Sequence, residues 1–562
     1  MYKKVSLTAA FMAACINIGA QTLAADYKGT GNGNPISASV FCADPTAIDY
    51  NGRLYVYGSN DHQQFKANNK KGDNGYGAIK SLVVFSTDDM VNWTFHGTID
   101  VGKVCTWAGQ SWAPSAVWRT TTAGKDEFFV YFANGGGSVG VMKSTTSPLG
   151  PFKSPLSSPM ITGSTAGVSP CNWVFDPGVV IDSTGTGWIG FGGGDPNNQG
   201  SDLQPNNARF AKLKPSMVGI DGKAVKIPAP YHFEASELNI MDGKFVYTYC
   251  SSWKGRNNWS QYQKEQNITV ASPGACTMCY MVSDNPMDPD SWKYKGDYGP
   301  HPGTSPNNHS HLHKFQGNYY HIYHSGALLQ GMKNANAVDG SASGYRSICV
   351  NKATVNEKTQ KISKVTLNNG GVASIKNLDP YQLQEAETMA TCGGVSYEDF
   401  TNISKNTGIN TLGNDASRNL QVKMKAGSWT QLRKVDFGTE GAAALMLRAK
   451  GTGTIEIRLG SKTAQPAATI DFASTAYKDF TVELDPATFT GVKTMYIVCT
   501  SATNAYLDAW QFMHDVPEAI STVQATPQPA AAATYDLTGQ RMNNRTPRRG
   551  IYIQNGKKVV VK

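Results

Sequence analysis

The sequence predicts an all-β protein: a five-bladed β-propeller followed by a β-sandwich of the jelly-roll type. Three observations carry this. One pattern, a turn rich in Gly, Asn or Asp and then a strand with aromatics at every second or third position, recurs five times. The recurrences start roughly 60 to 75 residues apart, about the length of a four-stranded antiparallel sheet, and sheets repeated radially make a propeller. Near residue 378 the pattern gives way to short alternating strands such as GAAALMLRAKG, GTIEIRLG and TMYIVCT, which suit a sandwich.

Composition agrees. Charged residues are 17%, aromatics 10%, and there are 57 glycines, a balance that favours an extracellular β protein. A chain of 562 residues is too long for one ordinary core and divides into two or three domains. The net charge of +9 is misplaced for nucleic acid: residues 517–562 carry +5 and Lys3 and Lys4 carry +2, leaving no basic stripe on the body.

In chain order, residues 1–25 read as a secretory signal peptide. Lys3 and Lys4 precede an apolar run that closes on small residues at Leu23-Ala24-Ala25. No stretch is long and apolar enough to span a bilayer. Met12-Ala13-Ala14-Cys15 is an incomplete lipoprotein signal. The propeller is expected over 30–376. Its repeats are DYNGRLYVYGSND, GKDEFFVYFANGGG, STGTGWIGFGGGD, MDGKFVYTYCSS and FQGNYYHIYHSG. No helical apolar stripe lies between them, which disfavours βαβ units. The sandwich is expected over 378–515, a Pro/Ala linker over 516–533 and a small basic tail over 534–562. Nine cysteines follow the leader at irregular spacing, so at least one stays unpaired. Cys276 and Cys279 form the lone C-x-x-C, too little for a zinc site. They read as scattered core residues with at most one bridge.

A short signature precedes each repeat: Ala43-Asp44-Pro45, Trp112-Ala113-Pro114-Ser115, Phe175-Asp176-Pro177-Gly178, Phe233-Glu234-Ala235-Ser236 and His309-Ser310-His311. The first strand of a propeller blade faces the central channel, so the five signatures should converge there. Asp44, Asp176 and Glu234 then become three carboxylates around one cavity. Hydrolysis of a glycosidic bond by inversion needs a carboxylic acid for the leaving oxygen and a carboxylate base about 6.5–9.5 Å away. A third carboxylate or a cation can separate their pKa values. Taken singly, Asp44-Pro45 and Asp176-Pro177-Gly178 read as turns or strand ends. The apolar flanks of Asp176 and Glu234 favour a working carboxylate, because burying a charge without a partner is costly.

Over residues 35–375 the chain resembles glycoside hydrolase family 43. The resemblance rests on ADPTAIDYNGRLYVYGSND, FSTDDMVNWTFHG, WAPSAVWR, FDPGVVID, HFEASELNIMDGKFVYTYCSS and NNHSHLHKFQGNYYHIYH, in the family's order. It implies Asp44 as general base, Asp176 as the pKa modulator and Glu234 as general acid. Glu237 is the rival acid, set aside because Glu234 holds the family's Glu-Ala-Ser position. It also implies that His309 holds a water or a calcium ion near the channel axis. His311 and His313 depart from the family, where small and apolar residues are usual. Arg346, in GYRS, matches an Arg that reaches the substrate sugar; read alone it is equally a solvated surface residue. Trp112 reads as a stacking wall for a pentose ring or as a core residue.

Residues 380–515 resemble, less strongly, a carbohydrate-binding module of family 6. The resemblance implies a structural calcium held by Glu385, Glu387 and Asp508, whose oxygens suit that ion. Tyr506 stands where the family's sugar-binding Asn is expected, and Ala509 separates Asp508 from Trp510. Sugar binding there stays open. The tail resembles the sorting segments of exported Bacteroidetes proteins, which implies a periplasmic, cell-surface or secreted location in a Gram-negative bacterium. Gly185 to Gly190 satisfies G-x-G-x-x-G but precedes a strand and opens no helix, so it is no dinucleotide loop. No G-x-S-x-G elbow is present.

The expected activity is release of α-L-arabinofuranosyl side chains from arabinoxylan, with a β-xylosidase acting on xylo-oligosaccharides next and an arabinanase third. A non-catalytic carbohydrate-binding protein is the reading from another class. No organic cofactor is expected. The partner is plant-cell-wall polysaccharide or oligosaccharide, and the chain is expected to act as a monomer.

Overall fold

A computed structural model describes residues 22–194, 202–403 and 420–517, and the backbone of strands at 534–535, 550–554 and 557–561. The lipoprotein signal, most of the leader and nearly all of the linker lie outside the described residues. The fold is the expected propeller and sandwich. Blades one to four each have four antiparallel strands, and blade five has three. The innermost strands are Ala43–Tyr50, Trp112–Thr120, Gly178–Ile181, His232–Met241 and Ser310–Phe315. Each touches the next and the last touches the first, which closes the ring. Residues 34–42 run beside blade five: Ile36 N–H donates to Ile348 O at 2.8 Å, and Val350 N–H to Asn34 Oδ1 at 2.8 Å.

The aromatic-rich repeats are the second strands: Arg53–Ser59, Asp126–Ala133, Gly187–Phe191, Lys244–Ser251 and Asn318–Ser325. A second strand is covered on both faces, so both of its side-chain rows must be apolar. Along Asp126–Ala133, Phe128, Val130 and Phe132 pack with Tyr57 and Val84 of blade one. Phe129 and Tyr131 pack with Ile189 and Phe191 of blade three. Tyr247 and Phe210 join blades four and three in the same way.

The sandwich is built on three long strands, Ala444–Leu459, Ala468–Glu483 and Val492–Met513. Val492–Met513 changes partner along its length, pairing first with Trp429–Asp436 and later with Leu420–Met424 and Gln384–Glu385. One ladder therefore runs from face to face of the sandwich.

Propeller and sandwich form one compact unit through Asp515, and the chain from Val516 onward forms a second. A strand of the sandwich segment, Thr388–Met389, pairs with Thr94 and Trp93 and so extends blade one. One apolar cluster runs from Val56, Phe85 and Phe95 of blade one and Phe315 of blade five into Leu432, Phe437 and Trp510 of the sandwich. Tyr397 stacks on His62 with centroids 4.0 Å apart, and its hydroxyl accepts from Asn60 Nδ2 at 3.0 Å. Buried Lys28 Nζ donates to Pro35 O at 2.6 Å and to Ala390 O at 2.7 Å. Leu23 and Ala24, where the leader was expected to end, lie on the sandwich: Leu23 packs on Trp429 and Tyr496, and Trp429 Nε1–H donates to Ala24 O at 2.9 Å. In the second unit, Thr534–Tyr535, Gly550–Gln554 and Lys557–Val561 make an antiparallel three-stranded sheet.

All nine cysteines among the described residues are free, and all but Cys171 are buried. Cys250 and Cys276 approach to 3.5 Å between sulfurs without a bond.

The shared cluster and the added strand predict that the propeller is not independent. A chain ended at residue 377 is expected to aggregate or to melt below the full chain in calorimetry. A soluble truncation with an unchanged melting temperature would refute this.

Candidate active site

The five signatures stand at the starts of the innermost strands. In the first, second and fourth blades the pairing with the second strand slips there, between Ala43 and Thr46, between Trp112 and Ser115, and on both sides of Glu234. Asp44 (φ 49°), Ala113 (φ 38°), Asp176 (φ 45°) and Ala235 (φ 65°) all sit in left-handed backbone. Each non-glycine residue so placed costs ~1–3 kcal/mol, which the surrounding sheet must over-determine. In those three blades the bulges stop the alternation that would send every second side chain into the blade interior, and they turn the signature residues toward the channel. Gly178 belongs to the same device. A Cβ there would stand 2.4 Å from Glu237 Cα, so its absence lets blades three and four close beside Asp176.

The result is a cavity of about 450 Å³ lined by Asp44, Asp176, Glu234, His309 and Arg346. Trp112, Trp173, Trp253, Phe175, Phe233 and Tyr76 form its apolar walls. Trp253 is 42% exposed and Trp173 36%. A second cavity of about 370 Å³, around Lys28, Asn34 and Tyr323, has no carboxylate in its lining. Every sequence-predicted propeller residue therefore meets in one place. Glu237 does not: it is fully buried, lines no part of this cavity, and its Oε2 stands 3.2 Å from His311 Nδ1.

The three carboxylates differ in surroundings. Asp44 Oδ1 accepts from Arg346 Nη1 at 2.7 Å, and Oδ2 accepts from Ser59 Oγ at 2.7 Å. Its backbone N–H donates to His324 Nδ1 at 3.0 Å. Burial by itself would raise its pKa, but the charge of Arg346 and the adjacent His324 outweigh burial and hold Asp44 well below the carboxylate range. Asp176 is pushed up to about 8 by burial and then by the charge of Asp44, although Ala235 N–H donates to its Oδ2 at 2.9 Å. Glu234 is pushed well above its ordinary value by burial and by Asp176 and Asp44, and its Oε1 is buried with no hydrogen-bond partner. The surroundings thus favour the ionised form of Asp44 and the protonated form of Glu234 in the same cavity. His309 Nδ1 stands 3.9 Å from Asp44 Oδ1 and 3.8 Å from Asp176 Oδ2, and burial holds its imidazole down to about 4.

Arg346 is 2% exposed and belongs to the machinery rather than the surface. Its Nε and Nη2 donate to Asp61 Oδ2 and Oδ1, each at 2.9 Å, in a bidentate fork. Asp61 also accepts from Arg346 N–H and from Asn74 Nδ2. Sequence reasoning passed over Asp61, Ser59, His324 and Trp253. Ser59 and Asp61 lie at the end of the first repeat, in GSND, and His324 in the last, in YHSG. A carboxylate and a histidine at the exit of aromatic strands were the available signal.

In the sandwich, Glu387 is 2% and Asp508 3% exposed. Among the described residues no three His, Cys, Asp or Glu side chains are grouped to hold a metal, and Asp508 Oδ2 instead meets Arg448 Nε at 2.9 Å. Burial and mutual repulsion raise the pKa of Glu385 and Glu387, and Glu387 Oε1 is buried without a partner. That orphaned oxygen suits a cation beside Glu385 and Glu387, with Asp508 shared between it and Arg448. Tyr506 does not form an apolar platform: Lys450 Nζ lies 5.0 Å and Lys423 Nζ 5.9 Å from its ring centre.

Comparison with known proteins agrees with this geometry. Residues 32–357 match the glycosyl hydrolases family 43, and residues 385–514 match the carbohydrate binding module (family 6). An arabinoxylan arabinofuranohydrolase of Paenibacillus polymyxa is 35% identical over 86% of this chain and 74% of its own length. One of Bacillus subtilis (strain 168) is 34% identical over 86% of this chain and 93% of its own. The crystal structure of a family 43 arabinoxylan arabinofuranohydrolase from Bacillus subtilis, in complex with cellotetraose, superposes with a TM-score of 0.76 at 33% identity, covering 88% of this chain and 99% of that one. With the match over most of the propeller, the bulged carboxylates at its channel mouth and relatives alike over nearly the whole length, the chain belongs to glycosyl hydrolase family 43 and carries a family 6 carbohydrate-binding module.

Proposed function

We propose that this glycoside hydrolase releases α-L-arabinofuranosyl side chains from arabinoxylan or its oligosaccharides with inversion of the anomeric centre. Asp44 is the general base, Glu234 the general acid, and Asp176 the modulator that holds Glu234 protonated and in place. The observation that carries the reading is the opposed pair in one aromatic-walled cavity: Asp44 bonded to Arg346, and Glu234 with a buried, unpartnered oxygen that burial and the nearby carboxylates push toward its protonated form. Asp44 takes a proton from a water that attacks the anomeric carbon, while Glu234 gives its proton to the leaving glycosidic oxygen on the opposite face. Trp112, Trp173 and Trp253 offer flat faces to the C–H surfaces of the sugar and its carrier chain. The names of the two long relatives favour arabinoxylan over xylo-oligosaccharide or arabinan. We further infer export, from Lys3, Lys4 and the apolar run that follows them.

Calcium has a structural role in this reading. Bound beside Glu385 and Glu387, it would neutralise charge that burial makes costly. Near His309 the closest carboxylate oxygens are already bonded, to Arg346 and to Ala235 N–H, so an ion at the channel axis would rely on water.

Three outcomes are expected. Proton NMR of the protein acting on arabinoxylan should show arabinose first, in the inverted configuration. Glu234→Ala should lower that rate at least ~10²-fold while leaving polysaccharide retention unchanged. Xylose or a retained anomer would overturn the reading. Arg346→Gln removes the charge that favours ionised Asp44, so Asp44 titrates higher and less of it is ionised in acid. The acid limb of the kcat/KM profile should move up by about one pH unit or more; an unmoved limb would take Asp44 out of the base role. Removing calcium with a chelator should lower the melting temperature, and restoring calcium should recover it; Glu387→Gln should abolish that response. A wild type indifferent to calcium would refute the site.

A further inference from the structure

The innermost strands run from the carboxylate mouth of the channel to a second mouth. There they line a separate cavity of about 410 Å³, with Asp49, Trp118, Ile181, Ile240, His311 and His313 on its wall. None of the proposed catalytic side chains reaches it. His311 and His313 are two apart on the strand Ser310–Phe315, so their side chains leave the same face. His311 Nε2 and His313 Nδ1 are hydrogen-bonded to each other at 3.2 Å, a bond that a shared cation would replace. Each remaining ring nitrogen faces a carboxylate: His311 Nδ1 is 3.2 Å from Glu237 Oε2, and His313 Nε2 is 3.5 Å from Asp49 Oδ1. Both Glu237 oxygens, His311 Nδ1 and His313 Nε2 are buried atoms with no hydrogen-bond partner. The mechanism uses none of these groups.

We propose that His311 and His313 are a binding site for a transition-metal dication of the zinc class at this second mouth. Two nitrogens bound to one tetrahedral zinc at 2.0–2.1 Å stand about 3.3 Å apart, and the observed gap of 3.2 Å is that spacing. Imidazole nitrogen suits zinc, nickel and copper rather than calcium or magnesium. A metal-bound imidazole gives its other N–H to a carboxylate, which fixes the ring and strengthens the ligand. Glu237 stands in that position behind His311, and Asp49 behind His313. This gives a role to a fully buried glutamate that lines no part of the carboxylate cavity. The cavity leaves room for water to complete the coordination. The nearest rim cation, Lys314, is paired with Glu357 at 2.5 Å, so its charge is already offset.

The test is a calorimetric titration of the full chain, stripped with a chelator, against zinc chloride. Uptake of one equivalent is expected, with a rise in melting temperature of at least ~2 °C at one hundred times Kd. The equivalent should be lost in His311→Leu and in His313→Leu. Glu237→Gln should weaken it about 10- to 100-fold. No saturable uptake by the unaltered chain overturns the proposal. So does one equivalent retained in both histidine variants, because the ion then sits elsewhere. Should those variants fail to fold, zinc-soaked crystals of the unaltered chain decide: an anomalous peak within bonding distance of both nitrogens supports the site, and its absence there refutes it.

Discussion

Arg346 is a single positive charge held between two buried carboxylates, and the site is arranged around it. Its fork closes on Asp61, and the remaining nitrogen reaches Asp44. Removing one member of such a buried set leaves an uncompensated charge, at a cost of about 3–5 kcal/mol. The arrangement is therefore rigid, and its electrostatic consequence is directional. Asp44 receives the stabilisation and stays ionised. Burial and the negative charge of Asp44 push Asp176 and Glu234 the other way, toward their protonated forms. One guanidinium thus sets Asp44 apart among three carboxylates that burial alone would drive the same way.

That separation depends on backbone placement. Asp44 and Ala235, at bulged strand starts, and Asp176, just ahead of its strand, sit in left-handed conformations that isolated strands avoid. The ring of blades can hold such strain because every second strand is packed on both faces by aromatic and branched side chains. The sandwich adds to this frame, lending a strand to blade one and sharing its apolar cluster. It also brings Tyr397 onto His62, the neighbour of Asp61. Binding module and catalytic ring are in this sense one structural body rather than two modules on a tether.

The two mouths of the channel differ in kind. At one, the strand starts are bulged and present carboxylates to an aromatic cavity. At the other, the strands are regular, and alternation alone brings His311 and His313 to one face with Glu237 behind them. Glu237, the rival of Glu234 in the sequence, belongs to this second mouth. It lies three positions after Glu234, and the register shift between them sends the two carboxylates in different directions.

Much of this was legible in the sequence. The five aromatic repeats are the five second strands, because a strand buried on both faces must carry apolar residues at consecutive positions. The five signatures mark the innermost strands, and Asp44, Asp176, Glu234, His309, Trp112 and Arg346 do share one cavity. What could not be read was which partner each charge would take. Arg346 was equally a sugar ligand or a surface residue, since nothing local ties position 346 to positions 44 and 61. The calcium ligands expected from the sequence, Glu385, Glu387 and Asp508, matched a pattern, yet Arg448, on a strand sixty residues away, claims Asp508. Periodicity and motif order are short-range properties and survive in one dimension. Ion pairing, burial and pKa depend on groups brought together from distant segments, so only the closed ring of blades decides them.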